Sequence, residues 1–305
     1  MAQEQLGVCA EANIHGLYML FNANDGREDF IRGVLGQLPA LFDELSGRFS
    51  EAMLTGMVAV GSNYWDELYP NARPALLRPF PAMEHDGVSM PGEPFDLLIQ
   101  IRSDRADVNH LMGLQIMALF ANSVELVEQH KGFRYLDGRD LIGFVDGSTN
   151  PNGMKKRKIA LVGDEDADFA GGSYVHIQRY RHHLRRWESL DVLEQEKVIG
   201  HTKIKNQSFA QSKKLPTCHS KRAALVDENG NKMEILRQSM PYGHMKLQGQ
   251  FFVSCCKTPE YFEKILHSMV KGDNEGNCDA LLQFTQAELG AAFFAPSRTF
   301  LVNNK

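Results

Sequence analysis

Strand-like and helical stretches alternate along both halves of the chain, an apolar strand followed by an amphipathic helix recurs in each half, and hairpin signals and polar inserts interrupt the alternation. Together these features predict an α+β fold built as two tandem ferredoxin-like domains, each a mostly antiparallel β-sheet with helices packed on it. At 305 residues the chain is too long for one small core and suits two domains, placed at residues 1–150 and 151–305.

Residues 12–21 are a predicted strand, and Asn22-Ala23-Asn24-Asp25-Gly26 is a turn leading into a helix. Over 28–48, Phe30, Ile31, Val34, Leu35, Leu38, Leu41, Phe42 and Leu45 fall at helical spacing, giving one apolar stripe to lay on a sheet. A second strand covers 57–61, and 63–69 is a short helix stopped by Pro70. The prolines and glycines of 73–91 predict an irregular connection. After an apolar strand at 95–101, a long helix is expected from Asp104 to about Gln129, with Leu111, Leu114, Ile116, Leu119, Val124 and Val127 toward the core. A strand at 133–135 closes the half.

In the second half, the alternation of 173–181 predicts a strand, followed by helix to about Ile199 and a polar segment over 203–216. Asp227-Glu228-Asn229-Gly230-Asn231 predicts a hairpin turn between strands at 222–226 and 233–237. A strand at 250–255 and a helix from Thr258 to about Val270 follow. Their likeness in pattern to 95–129 is the internal sign of duplication.

Composition narrows the function. Hydrophobic residues at 43% and charged residues at 23% are ordinary for a globular protein. A net charge of −5 gives no broadly basic surface for nucleic acid. The start, Met1-Ala2-Gln3-Glu4-Gln5, has no basic region before an apolar core, and no apolar run reaches about 18 residues. A cytoplasmic protein without a membrane partner is expected. The five cysteines contain no C-x-x-C pair, so zinc knuckles, thioredoxin-like redox pairs and thioether attachment of a cofactor have no support, and reduced thiols are expected.

The stretch 139–151 draws most of the chemical interest. Gly143 and Gly147 bracket Asp146 where the backbone can turn tightly, and Asn150-Pro151 stops regular structure from continuing. Such an Asp-Gly turn is either an ordinary surface turn or a carboxylate held for chemistry. His219 lies in Pro216-Thr217-Cys218-His219-Ser220, just before a predicted strand. Arg237 and Ser239 are two apart, so on an extended strand they face the same way. A fixed guanidinium fork, a hydroxyl, a carboxylate and an imidazole suit oxygen chemistry at a metal. His15, His85, His110, His130, His244 and His267 are read as solvated or core histidines, and His182-His183 as part of a solvated basic turn.

The run Gly143-Phe144-Val145-Asp146-Gly147, with Arg139-Asp140-Leu141 before it and Asn150-Pro151 after it, resembles the G-x-x-D-G motif of dye-decolourising peroxidases, in the bacterial branch with short loops. The resemblance continues through 171–178, 194–200, 235–243, 276–279 and 293–297, and is fainter in Asn22-Ala23-Asn24 and 61–65. It implies a non-covalent b-type haem, one per chain, held mainly by the second domain. His219 matches the proximal axial ligand of the haem iron and Asp279 the carboxylate on its other nitrogen, while Asp146, Arg237 and Ser239 match the distal, catalytic positions. Many relatives carry Asn where this chain has the shorter Ser239. The family's I-G-R-T-K run is here Ile199-Gly200-His201-Thr202-Lys203. If that Arg faces a haem propionate, His201 gives a weaker, pH-dependent contact, or a nearby Arg or Lys substitutes.

The implied activity is reduction of hydrogen peroxide through a ferryl intermediate, with oxidation of dyes, phenols or other one-electron donors. Asp146 would move a proton, directly or through water, and Arg237 would stabilise developing negative charge. Tyr135, Trp187 and Tyr242 lie near site segments and are read as packing residues rather than electron relays. A homo-oligomer, dimer or higher, is implied, and the ending at Asn303-Asn304-Lys305 leaves no evident tail for docking into a protein shell. The other reading of the same His219 is a haem-binding or haem-handling protein whose peroxidase activity is incidental.

Overall fold

In a computed structural model that describes residues 2–305, the strands are β1 (His15–Ala23), β2 (Thr55–Gly61), β3 (Met83–His85), β4 (Val88–Met90), β5 (Leu97–Ser103), β6 (Val124–Phe133), β7 (Ser173–His182), β8 (Leu236–Arg237), β9 (Met240–His244), β10 (Leu247–Cys256) and β11 (Thr285–Ala295). The first half orders its main strands β2-β5-β1-β6 and the second β11-β7-β10-β9, with neighbours antiparallel throughout. In both, the first strand of the half sits beside the third at the centre, as the predicted ferredoxin-like arrangement requires. The two sets also meet at both edges, through Phe293↔Gly61 and Phe294↔Val60 on one side and Gly132↔Tyr242 on the other. Joining both edges leaves few unpaired backbone groups to recruit another strand.

Strand alternation sorts the core into layers. On β5, Leu97, Ile99 and Ile101 pack under the helices Glu28–Arg48 and Ala106–Phe120, while Leu98 turns to the layer between the sheets. Tyr18, Leu20, Met57 and Ala59 from the first sheet meet Ile177, Phe251, Val253 and Leu289 from the second in that layer. Tyr18 and Phe251 stack with ring centroids 4.3 Å apart. Where β6 meets β9 the approach is close enough to need a glycine, because a Cβ on Gly132 would lie 2.8 Å from the Met240 Cβ. The helix Glu260–Lys271 covers the outer face of the second sheet with Phe262, Ile265 and Leu266.

Four expectations are corrected. The helix expected to reach Gln129 ends at Phe120, where Ala121 takes a positive φ of 47°, and after a short turn Val124–Phe133 form β6, more and less exposed by turns as a half-covered strand is. Within the connection 73–91, Asp86 and Gly87 take positive φ and make a small β3-β4 hairpin. The Asp227 turn forms, with its carboxylate accepting from the Asn229 and Asn231 N–H groups, but its flanks share one bridge, and only Leu236–Arg237 joins a sheet. Arg222, read as the start of a strand, instead ends the helical turn His219–Arg222, whose Lys221 and Arg222 N–H groups close on the Cys218 carbonyl. Strand β11 went unread because Gly290, Ala291, Ala292 and Ala295 carry little strand propensity and are buried on both faces.

The five cysteines are unpaired, and no helix among the described residues is long and apolar enough to cross a membrane. Phe251→Ala, which empties the centre of the layer between the sheets, is expected to lower the free energy of unfolding by about 3–5 kcal/mol in a denaturant titration. A loss below about 1 kcal/mol would show that this layer does not hold the halves together.

Candidate active site

The apolar residues of 139–151 anchor the turn so that its polar ones can face outward. Ile142 and Phe144 pack in a small core with Trp187, Ile199 and Phe284, and the Trp187 indole N–H donates to the Ile142 carbonyl at 2.8 Å. Arg139 ties the turn across to the next segment, donating to the carbonyls of Gly143 at 2.9 Å and Lys203 at 2.6 Å. Gly143 and Gly147 both take positive φ, 91° and 69°, as the bracketing of Asp146 suggested. Asp146 accepts a hydrogen bond at Oδ2 from Gln250 Nε2 at 2.7 Å. Its surface opens on a cavity, yet protein crowds it closely enough for burial to dominate its ionisation. Burial pushes the Asp146 carboxyl up, Arg237 pulls it down and Asp140 pushes it up again, for a net rise.

Arg237 is held by the same stretch at three points. Asn150 grips its backbone both ways, Nδ2 donating to the Arg237 carbonyl at 2.6 Å and Oδ1 accepting from its N–H at 2.9 Å. Thr149 Oγ1 accepts from Arg237 Nη2 at 3.0 Å. Asp146, Arg237 and Ser239 border one cavity of about 460 Å³. Ser239 Oγ accepts from the Val253 N–H at 3.3 Å, standing in for a strand carbonyl, which leaves its own hydrogen free to donate.

His219 opens the helical turn His219–Arg222. Its Nδ1 lies 2.7 Å from Oδ2 of the buried Asp279, whose other oxygen accepts from the Leu281 N–H at 2.9 Å. Burial works against the imidazolium, but the Asp279 charge and hydrogen bond outweigh it and the His219 pKa is raised. The imidazole also senses the charges of Arg237 and Asp146, so the two clusters share one region. Gly200, at φ 87°, lets the helix Val192–Ile199 end against this turn, since a Cβ there would lie 2.3 Å from Ser220 Oγ.

Half-buried His201 sets Nδ1 3.3 Å from Asn206 Oδ1. Burial lowers its pKa, and the nearby Lys214 and His219 lower it further. The expectation for His182 needs correction, because its side chain is 6% exposed and paired, Nε2 at 3.1 Å from Asp140 Oδ1 and Nδ1 at 2.9 Å from Thr285 Oγ1. Burial alone would push Asp140 up, and His182 together with the Ile142 N–H reverses this, so its carboxyl lies below its ordinary value. Tyr135 lines the cavity, whereas Trp187 and Tyr242 are buried.

The sequence reading missed Gln250, Thr149, Asn150 and the Asp140–His182 pair. Thr149 and Asn150 had a signal, as uncharged polar residues between the Asp146 turn and Pro151, but their target on β8 is 88 and 87 residues away. Among the described residues no group of three or more His, Cys, Asp or Glu is placed to hold a metal ion, so the ligand on offer is a single imidazole.

The family model described as Dyp-type peroxidase, N-terminal matches residues 5–134, and the one described as Dyp-type peroxidase, C-terminal matches 137–300. The chain belongs to the Dyp-type peroxidase family. It is 35% identical over 287 residues to the dye-decolorizing peroxidase of Mycolicibacterium paratuberculosis, covering 93% of this chain and 81% of that one. With the dye-decolorizing peroxidase of Mycobacterium tuberculosis it shares 36% over 276 residues, covering 90% and 82%. A solved structure described as a dyp-type peroxidase protein from Shewanella oneidensis matches with a TM-score of 0.98 at 50% identity, over 99% of both chains. DypB from Rhodococcus jostii RHA1 matches with a TM-score of 0.93 at 34% identity over 96% of each, and variants of that protein have been solved in complex with heme.

Asn150→Ala removes both bonds to the Arg237 backbone and is expected to lower stability by about 1–3 kcal/mol in a denaturant titration. A loss under about 0.5 kcal/mol would mean that water satisfies these groups and that the clamp does not hold Arg237.

Proposed function

We propose that the chain is a haem b peroxidase that reduces hydrogen peroxide and oxidises dyes, phenols or other one-electron donors. The observation that carries this reading is His219. Its Nδ1 is fixed on Asp279, while Nε2 has no partner among the described residues and about a third of the side chain, 34%, is exposed. An imidazole oriented and made more basic by a carboxylate, with its second nitrogen free, suits axial ligation of a haem iron. Bound there, haem would supply the redox centre for both half-reactions.

The chain's own residues do the rest. Asp146 has Oδ2 engaged by Gln250, so Oδ1 is the atom placed to hold or pass a proton, directly or through one water. Burial raises its pKa and so favours the form that carries a proton. Arg237, fixed by Thr149 and Asn150, keeps a permanent positive charge beside the cavity for negative charge developing on oxygen. Ser239 adds one hydrogen-bond donor. His201, whose pKa burial lowers, would offer a haem carboxylate one hydrogen-bonding imidazole in place of an Arg fork. We place one haem per chain in the domain 151–305, with 1–150 as the N-terminal domain, and propose a cytoplasmic homo-oligomer.

Asp146→Asn, studied with haem bound, is expected to slow the Soret-band change after one equivalent of hydrogen peroxide by about 10²–10⁴-fold while leaving haem binding intact. The penalty of ionising a carboxyl crowded by protein is absent while it is protonated and grows as pH rises through the raised pKa. The variant should therefore gain stability over wild type at about pH 7 and lose that gain at about pH 4. Wild-type turnover of bulky donors should be faster at about pH 4 than at about pH 7. A flat profile between them, or unchanged peroxide reactivity in the variant, would remove Asp146 from this role and favour a haem-handling protein.

A further inference from the structure

Arg102 is a buried cation without a counterpart. On β5 it follows Leu98 and Gln100 on the face turned to the layer between the sheets, and it reaches the cavity that Asp146 and Arg237 border. It is 4% exposed. Among the described residues its guanidinium makes no ion pair and no hydrogen bond, and its Nε is fully covered. On the same face Gln100 Nε2 donates to Gln238 Oε1 at 2.6 Å while its own Oε1 is buried without a partner, and Gln238 Nε2 donates to the Gly7 carbonyl at 2.9 Å. The other two guanidinium nitrogens keep access to the cavity, and an Arg fork suits a carboxylate in two parallel bonds.

The cavity has more such positive charge than it neutralises. Lys156 is paired with Glu11 at 2.7 Å and Arg139 with Asp137 at 2.7 Å. What remains are Arg102, Arg237 and the exposed Arg134 against Asp146 alone, whose ionised form burial disfavours. Phe133, Tyr135 and Met240 give the walls an apolar part. His219 and Asp279 are not among its lining residues, whereas Asp146, Arg237 and Ser239 are, so the space adjoins the catalytic side of the site. A cavity of about 460 Å³ admits a small organic molecule.

We propose that the cavity binds a small organic carboxylate, with its carboxylate on the Arg102 guanidinium and its apolar body against Phe133, Tyr135 and Met240. Bound there, the molecule would lie beside Asp146 and Arg237, as a donor or as an occupant that governs access to them. The site adjoins the residues of the peroxidase reading, but binding is measured without peroxide, so failure of one is distinguishable from failure of the other.

The test uses the haem-loaded full chain with benzoate, uncharged benzamide and inorganic phosphate. Benzoate is expected to raise the unfolding temperature, with benzamide and phosphate doing so far less, and to leave the Soret band in place because it does not sit on the iron. By calorimetry, Arg102→Gln should bind benzoate about tenfold or more weakly than wild type, with Arg102→Lys in between. With no ligand, Arg102→Gln should unfold at the same temperature as wild type or higher, since an unpaired buried charge has been removed. Equal protection by benzamide, equal protection by phosphate, a Soret shift with benzoate, or unweakened binding in Arg102→Gln would each overturn the assignment. If that variant does not fold, the three-ligand comparison on wild type decides alone, and benzoate no better than benzamide overturns it.

Discussion

Tyr18 stacks on Phe251 at 4.3 Å in a layer to which both sheets contribute alternate side chains. Because a one-residue slip would turn every inward side chain outward, this layer fixes the register of each strand that borders it. The pairing at both edges keeps the two sheets from sliding past each other. Through β10 the same register reaches Arg237, which pairs with Ser254, and Ser239, whose hydroxyl takes the Val253 N–H. A hydrophobic contact far from the chemistry thus sets where the guanidinium stands.

Around that point the protein separates its charges by environment. One carboxyl, Asp146, is pushed toward its neutral form by burial, while Asp140 a few residues earlier is held ionised by His182. One imidazole, His219, is made more basic by Asp279, while His201 is driven the other way by burial and neighbouring positive charge. Pairs of like groups with unlike affinities for protons allow acid, base and ligand roles to coexist within one fold.

Much of this was legible in the residues. Bracketing glycines marked the Asp146 turn, the two-residue spacing put Arg237 and Ser239 together at the cavity, and alternation with helical stripes gave the α+β class. What escaped was set by partners distant in sequence. β6 was taken for helix because Val124 and Val127 fit a helical stripe as well as a strand, and only pairing with β1 decides between them. His182 looked solvated beside Arg181, His183 and Arg185, because nothing local shows that Asp140 and Thr285 close over it. Asn150 looked like a turn residue, and its grip on Arg237 depends on β8 arriving next to it.

The decisive observation is whether His219 ligates the haem iron. The absorption spectrum of the haem-reconstituted chain, compared with His219→Ala, reports this. The expected result is a Soret band that weakens and shifts in the variant and is recovered by added imidazole filling the vacated position. A spectrum unchanged by the substitution would contradict the assignment of His219, and with it the arrangement of Asp279, Asp146 and Arg237 around that imidazole.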